Sequence, residues 1–308
     1  MPSMPAPGAL LCLASAAAFG AMGIFGKLAY GEGAGVGTLL ATRFVLAAAL
    51  FWLVVACTGR ARALRALTRR DAAIALALGA IGYSAQAGGY FAALDRLDAS
   101  LLSLLVYTFP AIVTVSAIAL GRERASRRTA LALGLASTGL VLVLAGAAAG
   151  ALDPLGTALG LAAAVIYSAY ILTSEPIAAR IGPLALSTLV CTGAATTLTL
   201  GGVATGDLDL GAVSAAGFGW LAALAVVSTV GAVGLFFAGL PRVGPTAASI
   251  LSTLEPVVTV GLAFAVFGES LGPTQLAGGA LVLLAVLAVR IPVRVAVIPP
   301  PAPSRAGA

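Results

Sequence analysis

Long apolar runs dominate the sequence, and short polar stretches separate them. A run of about 20 residues is long enough to cross about 30 Å of hydrocarbon as a helix. Unpaired backbone groups are costly in lipid, so we predict a transmembrane helix for each run. The ten predicted helices cover residues 8–30, 35–57, 72–92, 97–120, 128–148, 154–174, 183–203, 214–238, 244–267 and 273–290.

The composition agrees with this pattern. Hydrophobic residues make up 60% of the 308 and charged residues 9%, against about 25% charged in soluble domains. The connections are too short for a soluble domain, so we predict an all-α integral membrane protein. The first run is too long for the apolar core of a cleaved signal peptide, and no basic residue precedes it. Cys12, Cys57 and Cys191 lie within apolar runs as small hydrophobes, and we expect no metal and no cofactor.

The basic residues are distributed unevenly between the two sides of the predicted membrane. Positive charge in short loops marks the cytoplasmic side, so we predict that both termini are cytoplasmic and that the membrane is a bacterial inner membrane. The basic stretch at 60–70 could bind nucleic acid or lipid headgroups, but a topology signal explains it, and we expect no nucleic-acid partner. The cytoplasmic residues on this assignment are Arg60, Arg62, Arg65, Arg69, Arg70, Arg122, Arg124, Arg127, Arg128, Arg180, Arg242, Arg290, Arg294 and Arg305, with only Arg96 on the opposite side.

The sequence contains an internal repeat. Residues 91–123 align with 237–269 without a gap, and 8–27 align more weakly with 156–175. Each half then holds five predicted helices, and this odd number inverts the second half in the membrane. Inverted repeats are typical of secondary transporters, with substrate bound near the midplane. We predict a first repeat at 1–148, a second at 149–290, and a disordered, proline-rich cytoplasmic tail at 291–308.

Several short motifs recur in a fixed order. Each half has a proline in its fourth helix and closes on a glutamate (GRE at 121–123, FGE at 267–269), and TRF at 42–44 and LEPV at 254–257 accompany them. In this order they resemble EamA-type members of the drug/metabolite transporter superfamily, over about residues 8–290. The resemblance implies a basket-like ten-helix bundle with a central cavity that exports small metabolites.

The members most similar in build export amino acids, often aromatic or other hydrophobic ones. Others in the superfamily carry nucleotide sugars, phosphorylated sugars or cationic drugs, so the substrate does not follow from the fold.

Polar and aromatic side chains at helical spacing predict the lining of that cavity, because such groups in a membrane usually face the bundle interior. Serine and threonine could instead bond to neighbouring helices, and tyrosines near helix ends could anchor at the interface. The candidates are Tyr83, Gln86 and Tyr90 in the third helix, Ser103 and Tyr107 in the fourth, Tyr167 and Tyr170 in the sixth, and Ser249 and Ser252 in the ninth.

Three charged residues complete the predicted site. Lys27 and Arg43 could attract a substrate carboxylate or form a structural pair with Glu269. Glu255 lies at the centre of an apolar run, and Phe109 occupies its position in the first half. The carboxylate could therefore make a local hydrogen bond, contact substrate or couple transport to protons.

Other classes of function fit less well. The chain has no histidine and no GxSxG, HExxH or GxxxxGK[ST] motif, which argues against an enzyme and a primary pump. The sequence does not suggest a ring of charged side chains of the kind that lines a channel. We predict a secondary transporter that exports amino acids or similar small metabolites, with nucleotide-sugar, sugar or cationic-drug transport as the alternative. The expected partners are a small-molecule substrate and the lipid bilayer, and the expected state is a monomer or weak homodimer.

Overall fold

The computed structural model describes residues 6–120, 127–147, 153–244, 248, 251–252 and 254–288. All regular elements in these residues are helical, and no β-strand occurs among them. The predicted all-α fold class is confirmed. The predicted tail at 291–308 and the loop that carries Glu123 lie outside the described residues.

The first half of the chain forms helices α1 to α9 and one π-helical segment, π1. Their bounds are α1 Ala6–Gly20, α2 Met22–Gly31, α3 Val36–Cys57, α4 Ala61–Arg65, α5 Arg69–Ala77, π1 Leu78–Tyr83, α6 Ser84–Leu94, α7 Ala99–Val106, α8 Phe109–Ala119 and α9 Arg127–Ala147. The second half repeats this plan. Its elements are α10 Pro154–Ile181, α11 Pro183–Thr205, α12 Ala215–Ala225, π2 Val226–Gly231, α13 Ala232–Val243, α14 Leu254–Phe267 and α15 Pro273–Ala288.

Ordinary capping chemistry sets several of the helix ends. The Asp153 carboxylate accepts a hydrogen bond from the Gly156 amide at 2.6 Å at the start of α10, and the Ser214 hydroxyl accepts one from Gly217 at 3.0 Å before α12. Both side chains satisfy an amide that the first helical turn leaves unpaired. Gly206 ends α11 with φ of 76°, a left-handed conformation that favours glycine.

Seven helical stretches in the described residues are long and apolar enough to cross a membrane. The chain is therefore a multi-pass membrane protein. Helices α9, α14 and α15 occupy the fifth, ninth and tenth predicted runs, and the full count of ten stays a prediction. The seven stretches are Pro7–Gly31, Val36–Cys57, Arg69–Leu94, Ala99–Ser116, Pro154–Ile181, Pro183–Thr205 and Ala215–Val243.

Two prolines act differently from the sequence-based expectation. We expected the sixth helix to end near 174, but α10 continues through Pro176 to Ile181. Proline is tolerated within membrane helices, where neighbouring groups pair with the freed carbonyl. We predicted a continuous fourth helix over 97–120 with Pro110 inside it, but the helix is interrupted at Tyr107 and Thr108. Pro110 then lies at the second position of α8, where a missing amide hydrogen costs nothing.

Helices from the two halves pack against each other in reciprocal pairs. Helix α1 contacts α13, and the corresponding helix of the second half, α10, contacts α6. Helices α3 and α11 pack together, as do α9 and α15. A Cβ atom at Gly139 would lie 2.6 Å from the Gly278 carbonyl oxygen, so small residues bring α9 and α15 into close contact.

The two π-helical segments occupy equivalent positions. When residues 8–27 are aligned with 156–175, the same shift along the sequence aligns Leu78–Tyr83 with Val226–Gly231. A π-turn interrupts the regular pairing of the helix, often at functional sites. A hydroxyl donates to a carbonyl five residues earlier in each case: Ser84 to Gly79 at 2.9 Å and Thr229 to Leu224 at 3.0 Å. The equivalent placement of π1 and π2 supports the internal repeat, whereas the two hydroxyls do not lie at aligned positions.

Candidate functional site

A small cavity lies where helices of both halves meet. It measures about 20 Å³, which is room for about one water molecule. Both halves of the chain contribute polar and apolar side chains to it. The polar lining residues are Arg43, Tyr83, Gln86, Tyr90, Tyr167 and Glu255, and the apolar ones are Phe19, Met22, Ala87, Phe91, Val106 and Phe109.

Arg43 is the only cation among the described residues that line this cavity. Its side chain is 1% exposed, and about seven residues of α3 precede it, which puts it roughly 10 Å from the start of that helix. The Arg43 Nε donates to the Thr229 hydroxyl at 2.6 Å, and Nη2 donates to the Ser228 carbonyl at 3.4 Å.

Two aromatic rings accompany the guanidinium. Its carbon lies 4.9 Å from the centre of the Phe44 ring and 5.3 Å from that of Phe91. Cation–π contacts of this kind are strongest where water is excluded. Thr229 and Ser228 of the second half, together with the two rings, hold the positive charge of Arg43 at the cavity wall.

Glu255 supplies the carboxyl group of the cavity, from the first turn of α14. The Tyr107 hydroxyl donates to its Oε2 at 3.3 Å. Tyr107 lies at the interruption between α7 and α8, so the break in the fourth helix brings this hydroxyl towards α14. The Thr259 hydroxyl, one turn further along α14, donates to the Gly20 carbonyl at 2.9 Å and fixes α14 against the end of α1.

Glycines in the first helix allow this close approach. A Cβ atom at Gly20 would lie 2.9 Å from the Glu255 carbonyl oxygen, and one at Gly23 would lie 3.1 Å from the Tyr90 hydroxyl. The glycines at 20, 23 and 26 therefore allow close helix packing here.

Aromatic rings form a continuous array next to the cavity. Tyr83 packs edge-on against Phe44 with ring centres 5.3 Å apart and lies 5.3 Å from Tyr170. Phe109 lies 4.8 Å from Tyr167. Five of the sequence-predicted residues, Tyr83, Tyr90, Tyr107, Tyr167 and Tyr170, are thus brought to this one region.

Lys27 lies apart from the cavity-lining residues. Its Nζ forms an ion pair with Glu269 Oε1 at 3.0 Å and lies 3.5 Å from Asp98. Of the two predicted roles, the structure shows the pair with Glu269. The Glu269 carboxylate also accepts from the Ser100 amide at 3.1 Å and the Ser100 hydroxyl at 2.8 Å, at the start of α7. Burial alone would raise the pKa of Glu269, but the bonds from Ser100 and Lys27 outweigh it and the pKa is lowered.

Of the three predicted serines, Ser103 and Ser252 are not among the described residues that line the cavity. Ser103 is buried with a hydroxyl that has no hydrogen-bond partner in the described residues, and Ser252 is buried at the turn before α14. Ser249 lies outside the described residues. The Tyr170 hydroxyl is likewise buried without a partner in that part of the chain.

Sequence reasoning missed two groups of residues. The apolar lining carries no polar signal, although the repeat alignment could have identified Phe109, since it occupies the position of Glu255. Thr229 and Ser228 were missed because a hydroxyl in an apolar helix has many ordinary roles. No group of histidine, cysteine and acidic side chains suited to a metal ion occurs among the described residues.

Comparison with known proteins agrees with this architecture. The model of the EamA-like transporter family matches the chain twice, over residues 6–145 and 154–291. The chain belongs to the EamA-like transporter family. This family member is a membrane transporter rather than an enzyme.

Two curated relatives and one solved structure are similar to this EamA-like transporter. An uncharacterized transporter of Archaeoglobus fulgidus is 29% identical over 64% of this chain and 69% of its own. The uncharacterized transporter YcbK of Bacillus subtilis is 26% identical over 89% of each chain. One protein of known crystal structure shares the fold, with a TM-score of 0.69 at 19% identity over 92% of this chain and 96% of its own.

Proposed function

We propose that this EamA-like transporter exports small zwitterions, namely amino acids with apolar or aromatic side chains, across a bacterial inner membrane by alternating access. The observation that carries the proposal is that Arg43 and Glu255 both line the same cavity. Arg43 comes from the first half of the chain and Glu255 from the second, which is where a transporter of two repeats binds its substrate.

The charges favour a substrate that carries one group of each sign. Charged side chains within a membrane are costly and usually serve an ion or a substrate. An α-amino acid offers a carboxylate to Arg43 and an ammonium group to Glu255, so both buried charges would be paired. A sugar nucleotide carries at least two phosphate charges, and Arg43 is the only described cation in the lining.

The remaining lining favours an apolar substrate side chain. Phe19, Met22 and Val106 give the cavity a flexible apolar wall, and the aromatic rings provide faces for stacking. The Gln86 amide and the Tyr90 hydroxyl add polar groups that can fix orientation.

The size of the cavity supports a mechanism with moving helices. A space of about 20 Å³ holds about one water molecule and no amino acid. Substrate entry therefore requires the repeats to move apart, as rocking of two bundles around a shared site does. The interruptions of the first helix at Ala21 and of the fourth at Tyr107 and Thr108 lie beside this space and are suitable hinges.

Counterflow in proteoliposomes tests the proposal. Purified protein is reconstituted into vesicles loaded with unlabelled compound, and uptake of the labelled compound is followed for a panel of amino acids, sugars, nucleotide sugars and cationic drugs. We expect exchange of aromatic or branched amino acids, and no exchange in protein-free vesicles. Exchange of a sugar nucleotide or a drug, with none of any amino acid, would refute it.

A further inference from the structure

We propose that Thr229 is a positioning residue that orients Arg43 towards the substrate carboxylate. This inference rests on the proposed function, because it assigns the carboxylate of the zwitterion to Arg43. Thr229 is buried in π2 and is absent from the cavity lining. It would act on the substrate only through the arginine.

The hydrogen bonds of Thr229 fix the direction of its hydroxyl. A threonine hydroxyl has one proton to donate and two lone pairs, whereas an arginine has only donors. The hydroxyl proton goes to the Leu224 carbonyl at 3.0 Å. A lone pair is then directed at the Arg43 Nε, 2.6 Å away. The Leu224 carbonyl thus orients the acceptor that holds the arginine.

The same segment holds a second nitrogen of the guanidinium. Nη2 lies 3.4 Å from the Ser228 carbonyl, so π2 takes the edge formed by Nε and Nη2. We assign the remaining N–H groups of the guanidinium, which lies in the cavity lining beside Tyr83, to the substrate carboxylate, since arginine binds carboxylates through paired hydrogen bonds. The Ser228 hydroxyl donates to the Ala18 carbonyl at 2.7 Å, which fastens π2 to the end of α1.

The first half of the chain provides a matched control. Directly after π1, the Ser84 hydroxyl donates to the Gly79 carbonyl at 2.9 Å, over the same five-residue spacing. Ser84 is buried, as Thr229 is, but its described hydrogen bonds include no arginine. Ser84→Ala therefore removes the bond to the Gly79 carbonyl without removing a described contact of Arg43.

The test compares Thr229→Val, Thr229→Ser and Ser84→Ala with the wild type, all purified as monodisperse protein. Counterflow gives KM and maximal rate for the best amino acid and for its decarboxylated amine. We expect Thr229→Val to raise the amino-acid KM about tenfold or more, since it removes a bond to a charged group. Its KM for the amine should change less than about twofold, because the amine has no carboxylate for Arg43 to bind. Thr229→Ser should restore the wild-type value, and Ser84→Ala should keep it.

A second measurement needs no substrate. In protein labelled with ¹⁵N at arginine Nε, the Arg43 resonance is assigned from its loss in Arg43→Lys. We expect slow hydrogen exchange at this Nε in the wild type, Thr229→Ser and Ser84→Ala, and fast exchange in Thr229→Val. Equal exchange in Thr229→Val and Ser84→Ala would overturn the inference, as would equal KM changes for the amino acid and the amine. If the wild type exchanges no amino acid, the proposed function fails, and the resonance alone decides the role of Thr229.

Discussion

Replacement of Glu269 by alanine should destabilise the protein more than removal of an exposed loop carboxylate such as that of Asp95. The Glu269 side chain is only 10% exposed, and it links the middle of α2, the start of α7 and the loop before α15. Glu269→Ala removes the ion pair with Lys27 and leaves the Ser100 amide at the helix start without its acceptor.

The magnitude follows from these two losses. Loss of a capping acceptor costs about 1 kcal/mol. Breaking a fully buried ion pair costs about 3–5 kcal/mol, but Lys27 is 23% exposed and keeps Asp98 at 3.5 Å, so about 1–2 kcal/mol is expected here. The sum of about 2–3 kcal/mol corresponds to a decrease in Tm of roughly 3–5 °C for a chain of this length.

Thermal unfolding in detergent, followed by tryptophan fluorescence, measures this decrease. Asp95→Asn is the matched control, because Asp95 lies in a nearby connection, is exposed, and its side chain has no described hydrogen bond or ion pair. Its Tm should stay near that of the wild type. A Glu269→Ala protein that unfolds within about 1 °C of the wild type would refute the capping role.

Two further predictions concern stability. The pKa of Glu269 is lowered in the folded protein, so its contribution to folding stability is complete above the ordinary carboxyl pKa of about 4.3 and is lost as the pH falls through the lowered value. The Tm of the wild type should therefore fall more between pH 6 and pH 3 than the Tm of Glu269→Gln. Parallel curves of Tm against pH for the two proteins would contradict this. Gly20→Ala should lower the free energy of unfolding by about 1–3 kcal/mol, since the new Cβ would lie 2.7 Å from the Cβ of Val258. The control is Gly261→Ala in α14, where a Cβ would have nothing within 4 Å, and it should keep or raise the Tm. Equal Tm values for the two variants would contradict close packing at Gly20.

The sequence predicted the cavity best where the helix was regular. Tyr83, Gln86 and Tyr90 share one helical face, and all three line the cavity. Ser103 was predicted from the same kind of stripe and is not among the described residues that line the cavity. The stripe treated the fourth helix as continuous, whereas the helix is interrupted at Tyr107 and Thr108. A periodic pattern cannot predict such an interruption.

Two other features depended on contacts between distant parts of the chain. Lys27 and Arg43 looked alike in sequence, as isolated cations in apolar runs. Only the fold shows that Lys27 meets Glu269 while Arg43 meets π2. The role of Thr229 depends on a π-turn, which shifts the helical register and leaves no clear signal in an apolar segment.

The most direct test of the central claim is binding of an amino acid and two analogues to Arg43→Gln and Glu255→Gln. The analogues are the decarboxylated amine and the corresponding acid without the amine, and Arg43→Lys and Glu255→Asp, which keep the charge, are the controls. We predict that Arg43→Gln weakens binding of the amino acid and the acid about tenfold or more and spares the amine. Glu255→Gln should weaken the amino acid and the amine and spare the acid. Equal losses for all three compounds in both variants would contradict a zwitterion site between Arg43 and Glu255.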